Sequence, residues 1–391
     1  MQPSSILSYY PNYEILDDIL AHGSFDTLNI FMDLKNNLQA LYMQHAIINL
    51  VENTIRSKKY DTSIVSSIIS FLAFHKLYAI KRKIDVNFYI FFETGRSYYH
   101  LNVSKKYKIS RKIDKMPGID KDKRDIFHQI VNKNLGLSER IFNRTPNSKV
   151  IHLKNLEADF IPYYLIKNRL VDTNPNVAQV VYSSDHDLLQ CITAGENVFV
   201  YRKLGKKRRI AKKGDAVKEY LKFDIVPIPD EHYPLLMAVI GDQGDDVDGV
   251  RDIGPKRAAA IIEELVELVG GMENLYENVL EGNAIFSTPS EKIKNKFTKS
   301  VVESEEKYKT VSNNLKLVSF EILSRVFHTP KNTEIIKKRE YVESVMENNE
   351  IVPEEPMTEA LFKTGVLIDD ELSTIYFDRR RKQGDLDQVE L

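Results

Sequence analysis

The sequence predicts an α/β protein, a central and mostly parallel sheet flanked by helices, with a helical domain after it. Three observations lead there. Short apolar runs end on carboxylates at TLNIFMD (27–33), VNFYIFFE (86–93) and VAQVVYSSD (177–185). Segments with helical spacing separate them, over 38–56 and 63–83. Beyond Asp224 the strand signals fade, and 233–327 reads mostly helical.

Each element has its own reason. The run from Thr27 is short, apolar and closed by Asp33, as a buried strand would be. Val86 to Glu93 is β-branched and aromatic, a strand composition. Strands alternating with helices imply a parallel sheet, whose ligands sit beyond the carboxyl ends of the strands. Residues 104–124 turn strongly basic, with Pro117-Gly118 breaking any helix, and read as an inserted arch reaching to about 140. Asn197 to Lys213 gives two strand-like pieces around Gly205, a basic hairpin. The division expected is an N-terminal extension over 1–25, an α/β domain over 26–225, a helical domain over 226–330, and a charged, partly disordered extension over 331–391.

Composition narrows the class. Lys+Arg 55 nearly balance Asp+Glu 56 in 391 residues, so charge is segregated locally rather than globally. Cys191 is the single cysteine, which removes intrachain disulfides and cysteine zinc sites and fits a reducing, cytoplasmic setting (a host cytoplasm if the source is viral). MQPSSILSYYPNYEILDD lacks a basic n-region followed by an apolar stretch, so no secretory signal is expected. The most apolar window, 64–80, is interrupted by His75 and Lys76 and reads as a buried helix, not a membrane span.

Candidate site residues are the acids beside apolar signal: Asp33, Glu93, Glu157, Asp159, Asp185, Asp187, Asp242 and Asp245. In an extended chain Asp185 and Asp187 point to one side. Glu157 and Asp159 would open an apolar helix, where the dipole favours them. Any one of these acids alone is better explained as a helix cap or solvated turn. Together at strand ends they would repel unless cations neutralised them. All-oxygen ligation suits Mg²⁺ or Mn²⁺, and so many acids are enough for two ions ~4 Å apart, the arrangement that hydrolyses phosphodiesters.

Several stretches resemble the 5′-nuclease and flap-endonuclease family, strongest in its bacteriophage branch, which includes a ribonuclease H-like activity. SSDHDLLQ resembles its strand followed by Asp-x-Asp-Leu-Leu, and LEADF its Glu-Ala-Asp-Asp. GDQGDDVDGVRDIGPKRAA (241–259) resembles its Gly-Asp-x-x-Asp-Asn leading into a glycine hairpin. MDLKNNL and FFETGRSYYHLNVSKKYKISR are similar to its first and second acidic segments, the latter with a Tyr-Lys-x-x-Arg motif. The likeness spans roughly residues 27–285. It implies a PIN-like nuclease domain with a helix-hairpin-helix domain, the eight acids as ligands of two ions, and Lys108 and Arg111 as catalytic cations. This chain departs from the pattern twice, with Glu93 where Asp is usual and Phe160 in place of a second Asp, so one metal site is a carboxylate short.

For nucleic acid, the resemblance assigns Gly249, Ile253, Gly254, Lys256 and Arg257 to a helix-hairpin-helix gripping duplex phosphates, often with a monovalent cation, K⁺. Gly254-Pro255 also fits a helix start, whose free N–H groups bind phosphate. Tyr107 supplies an aromatic face for an unpaired base. Lys206, Lys207, Arg208 and Arg209 in the basic hairpin are expected against duplex phosphates, with strong salt dependence. A solvated hairpin is the plain alternative. His75, His100, His128 and His186 form no ligand-spaced pair, and His186 is expected to be exposed.

The function implied is a divalent-metal-dependent 5′-3′ exonuclease with flap endonuclease activity on DNA and RNA-DNA hybrid, in primer removal, replication or repair. The chain is expected to act as a monomer, with no membrane and with replication proteins as partners of its C-terminal region. Two readings stand against it: a non-catalytic, structure-selective DNA-binding protein on the same fold, and a small-substrate metallophosphatase, which would need no duplex grip.

Overall fold

The computed structural model describes residues 13–38, 60–109, 135–136, 138–183, 185–204, 207–221, 228–286 and 293–348. The start of the N-terminal extension, most of the basic arch with Arg111, the Gly205-Lys206 turn, and everything after 348 lie outside the described residues.

Six strands form one mixed, mostly parallel sheet flanked by helices: β1 (Thr27–Asp33), β2 (Asp85–Thr94), β3 (Ser148–Lys154), β4 (Val177–Tyr182), β5 (Val198–Leu204) and β6 (Lys207–Ala211). Their order is β3-β2-β1-β4-β5-β6. All six residues of β4 are buried, as a strand covered on both faces requires. It runs parallel to β5, with Tyr182 opposite Tyr201, and β6 returns antiparallel, with Leu204 opposite Lys207. The basic hairpin is therefore the sheet's edge. Strand β3 is not legible as a strand, because SKVIHLK buries only Val150, Ile151 and Leu153, with half-buried Ser148, Lys149 and His152 and exposed Lys154 around and between them.

Two compact units make up the chain. The first comprises Met1–Ile90, Gly118–Ile151 and Glu347–Leu391. Its core forms around the helix Tyr60–Arg82 and the strand residues of β1 and β2. Phe71 packs against Phe88 at 5.7 Å and Phe142 at 6.4 Å between ring centres. His75 lies among these rings, its Nδ1 2.7 Å from the Phe71 carbonyl. Asp17 on the helix Tyr13–Leu20 accepts from Tyr78 and pairs with Arg82, tying that helix to the longer one.

The second unit comprises Phe91–Pro117 and His152–Met346. It holds β4 to β6 and the helices from Tyr233–Ile240 onward. Helix Glu305–Val318 packs with helix Tyr233–Ile240, burying Leu315, Val318, Leu235 and Val239. Helix Thr333–Glu347 lies in the segment read from sequence as a charged extension, and buries Val342. No helix among the described residues is long and apolar enough to cross a membrane.

Burial draws the His75 pKa down from 6.5 to about 4. The unfolded chain takes up that proton near 6.5 and the folded chain only near 4, so the unfolded state binds more protons between these values. This contribution to stability is intact above pH 6.5 and lost as pH falls to 4, amounting to about 3 kcal/mol. Urea unfolding should show His75→Leu losing less stability than the wild type over that interval; identical slopes would refute the assignment.

Candidate metal centre and nucleic-acid interface

The centre lies in the second unit and is built from three stretches of backbone. After β4 the chain passes Ser183, whose Oγ accepts the Asp185 N–H at 3.0 Å. It then turns into a 3-10 helix, Asp187–Ala194, with the Asp187 N–H 3.3 Å from Asp185 Oδ1. The chain is thus not extended between these acids, as their spacing alone had suggested; the turn brings the first carboxylate onto the backbone of the second.

The second stretch follows helix Tyr233–Ile240. Gly241 ends that helix at φ +80°, and a Cβ there would stand 2.3 Å from the Gly249 nitrogen. Gly249 is equally constrained, since its Cβ would stand 2.0 Å from the Ile240 carbonyl oxygen. Only two glycines allow this close approach of backbones. Between them Asp242 and Val247 exchange N–H···O bonds of 2.9 Å, and Asp242 Oδ1 accepts the Gly244 N–H at 2.7 Å. The tight loop thereby sets Asp242 and Asp245 three residues apart on one turn. Asn314 secures it from outside, its Nδ2 donating to the carbonyls of Ala238 and Asp248 at 2.8 Å each.

One carboxylate oxygen from each of Asp187, Asp242 and Asp245 falls within 4.8 Å of the others. Burial, and then the charges of Asp185, Asp245 and Asp242, push the Asp187 carboxyl well above its usual range. Its Oδ1 is buried and makes no hydrogen bond. A buried acceptor without a donor, crowded by like charges, is the environment a hard divalent cation relieves, so these residues fit such an ion.

The third stretch carries Tyr107 and Lys108. Lys108 adopts φ +54°, its N–H donates to the Asp245 carbonyl at 2.9 Å, and its Nζ lies 2.7 Å from Glu157 Oε2 and 3.3 Å from Asp245 Oδ2. Burial raises the Glu157 carboxyl, the Lys108 charge opposes this, and the Glu93 charge adds to it. Lys108 thus links Glu157, which the Glu93 charge also reaches, to Asp245 of the first group.

Other expected residues fall differently. Glu157 and Asp159 precede helix Ile161–Lys167, and Phe160 occupies its cap, so neither acid lies within it. The Asp159 charge acts on buried Cys191, raising its thiol after burial itself. Asp33 belongs to the first unit: it ends β1, is 5% exposed, and its Oδ1 accepts the Asn36 N–H at 2.9 Å. Tyr107 is not an open stacking face. It is 6% exposed, its ring stacks on His100 at 4.5 Å, and its hydroxyl donates to Asp245 at 3.2 Å. His100 is fixed in turn by Ser97 Oγ and the Leu317 carbonyl. His186 is half-buried and bonded, not exposed. Phe160 is 1% exposed, its ring edge-on to Phe327 at 5.2 Å.

For nucleic acid, Gly254 caps helix Pro255–Val269 without a side-chain bond, Pro255 sits in its first turn, and Ile253 is buried beneath. Lys256 and Arg257 are exposed there, with Arg257 donating to the Asp252 carbonyl at 2.6 Å and lying over Phe297 at 4.7 Å. On the hairpin, Lys207 is in β6, Arg208 is half-buried, and Arg209 pairs with Glu219 at 2.9 Å. Lys213 pairs with Glu196 at 3.0 Å, so acids partly neutralise this basic face.

Together these features define an α/β protein with a carboxylate centre suited to divalent metal, followed in the same unit by a glycine-rich turn and an open helix start. No protein-family model matches the chain. It is 30% identical over 129 residues to a 5′-3′ exonuclease of Aquifex aeolicus, covering 33% of this chain and 39% of that protein. Against a 5′-3′ exonuclease of Mycoplasma genitalium it is 30% identical over 106 residues, 27% of this chain and 33% of that protein. The chain thus spans between a third and two fifths of the length of these curated relatives. Its fold is similar to a bacteriophage T5 protein crystallised with metal ions, with TM-score 0.55, 20% identity, and coverage of 81% of this chain and 99% of that one. It is also similar to a bacteriophage T5 flap endonuclease in a pseudo-enzyme-product complex with DNA and metal ions, with TM-score 0.55, 18% identity, and coverage of 82% and 99%. The sequence likeness is thus to 5′-3′ exonucleases over part of the chain, and the structural likeness is one of fold.

Two stability outcomes follow from this geometry. Gly249→Ala should cost on the order of 3 kcal/mol, because its Cβ meets backbone, whereas Gly254→Ala, with open space around it, should cost under about 1 kcal/mol; comparable losses in thermal unfolding would contradict the close approach. Phe160→Asp, which restores the usual acid, should lower stability by about 3 kcal/mol or more by charging a closed aromatic contact. A stable variant with tighter Mn²⁺ binding would show instead that the position opens to the metal.

Proposed function

We propose that this chain is a divalent-metal-dependent 5′-3′ exonuclease with structure-specific flap endonuclease activity on DNA and RNA-DNA hybrid, in primer removal during replication or in repair. The observation carrying this reading is the convergence of Asp187, Asp242 and Asp245, with a buried, unbonded oxygen on Asp187 and Lys108 Nζ 3.3 Å from Asp245. Asp187, Asp242, Asp245 and the adjacent Asp185 would hold one ion, and Glu157 with Glu93 would contribute to a second; Asp33 and Asp159 are assigned to the ions by resemblance. Bound divalent ions supply Lewis acidity and a hydroxide-like nucleophile at neutral pH.

The chain's own residues do the rest. Lys108 places a positive charge beside the carboxylates, where it offsets negative charge developing on a scissile phosphate; Arg111 is assigned the same task. Tyr107 orients Asp245 by its hydroxyl and braces the Lys108 backbone through its stack on His100. The helix start at Gly254, with Lys256 and Arg257, binds duplex phosphate without reading bases, with Gly249 and Ile253 shaping the turn and K⁺ as an accessory ion. The hairpin cations Lys206, Lys207 and Arg208 extend that contact, with Arg209 shared with Glu219. We further propose a cytoplasmic monomer whose C-terminal region contacts replication proteins.

The test uses 5′-labelled flap, nicked duplex and RNA-DNA hybrid with Mg²⁺ or Mn²⁺, against a chelator control. Short 5′ products are expected with metal only. Asp187→Ala should abolish them while retaining most duplex binding, and Lys108→Ala should slow turnover by roughly a hundredfold. The burial of Phe160 where an acid is usual favours one second reading, a structure-selective DNA-binding protein. Binding of all three substrates with no metal-dependent product would establish that reading instead.

A further inference from the structure

We propose that Arg202 is a positioning residue for the carboxylate centre, acting on Asp185 and Asp187 through His186. This rests on the metal-centre reading above. Arg202 lies on β5, one residue beyond the Tyr201 that pairs with Tyr182 at the end of β4, so it flanks the turn that carries both acids. Its side chain is fully buried. Guanidinium groups are almost never buried without a specific partner, since several kcal/mol of hydration is lost. Here Nη2 stands 3.0 Å from His186 Nδ1, and Nη1 stands 3.7 Å from Glu219 Oε2.

The chemistry of the pair fixes its direction. A guanidinium has donors only, so Nη2 donates and Nδ1 accepts. His186 is held at two further points. Its carbonyl accepts the Tyr233 hydroxyl at 3.1 Å, and its ring meets Tyr220 edge-on at 5.7 Å. A residue gripped by Nδ1, carbonyl and ring cannot turn, and its two peptide neighbours are Asp185 and Asp187. Their N–H···Oδ1 contact of 3.3 Å spans this fixed His186. Glu219 completes the chain from the outside, holding Arg202 by one oxygen and surface Arg209 by the other. Partners that orient metal ligands from behind typically change metal affinity by roughly 10–100-fold when lost.

Mn²⁺ binding to the full chain, read from the electron paramagnetic resonance of the free ion, separates this from a purely structural role. His186→Leu removes the acceptor, and should raise the Mn²⁺ Kd by about tenfold. His186→Asn presents a carboxamide oxygen the same number of bonds from the backbone as Nδ1, and should restore affinity to within about threefold of wild type. Arg202→Met should match His186→Leu. Because Arg202→Met also risks the fold, the histidine pair decides, with near-ultraviolet circular dichroism confirming native packing. Wild-type affinity in His186→Leu, or equal weakening in His186→Asn, would overturn the proposal. Absence of Mn²⁺ binding in the wild type itself would instead overturn the metal-centre reading on which it rests.

Discussion

Mutual repulsion among one buried and two half-buried carboxylates is the constraint on which the second unit is built. One oxygen from each of Asp187, Asp242 and Asp245 is drawn within 4.8 Å of the others, although like charges at that distance repel. Holding them requires backbone that cannot relax, and the structure supplies it locally. Gly241 and Gly249 allow main chain to touch main chain, the Asp242-Val247 exchange closes the loop, and Asn314 ties it to helix Glu305–Val318. Packing energy gathered elsewhere in the unit sustains this local unfavourable term.

Lys108 is the internal counterweight. Its left-handed backbone and its N–H bond to the Asp245 carbonyl aim the ammonium between Glu157 and Asp245. Those two acids would otherwise add their charge to a group already short of compensation. The Tyr107-His100 stack makes the placement rigid, and the rigidity depends on His100 reaching the Leu317 carbonyl more than two hundred residues along the chain. The same helix, Glu305–Val318, thus steadies both the lysine and the acidic loop.

The basic segments are less uniform than their composition implies. On the hairpin, Arg202 turns inward and is fully buried, Arg209 shares Glu219 with it, and Lys213 is held by Glu196. Among the described residues of this face, burial and acidic partners offset part of the charge that the run of Lys and Arg suggests. At the helix start after Gly254 the charges do stay outside, because Ile253 and Ala258 take the buried positions there.

The sequence by itself determined the α/β class, the strand-end positions of Asp33 and Glu93, and the Gly-Asp-x-x-Asp loop. These follow from near neighbours: apolar runs of strand length, and glycines flanking acids at fixed spacing. Tertiary structure alone decided the rest. Whether the Tyr107 hydroxyl is open or donates to Asp245, and whether Arg202 faces solvent or His186, depends on how separate stretches of chain are brought together, which no local pattern encodes. Strand β3 shows the same limit, since its mixed burial gives no run and only a place at the edge of the sheet makes it a strand. Phe160 is the sharpest instance: the sequence registers a missing acid, but it takes the packed ring of Phe327 to show that the position is filled by hydrophobic contact. Local sequence specifies which groups can carry charge, whereas burial, fixed by the whole chain, decides which of those charges must find a partner.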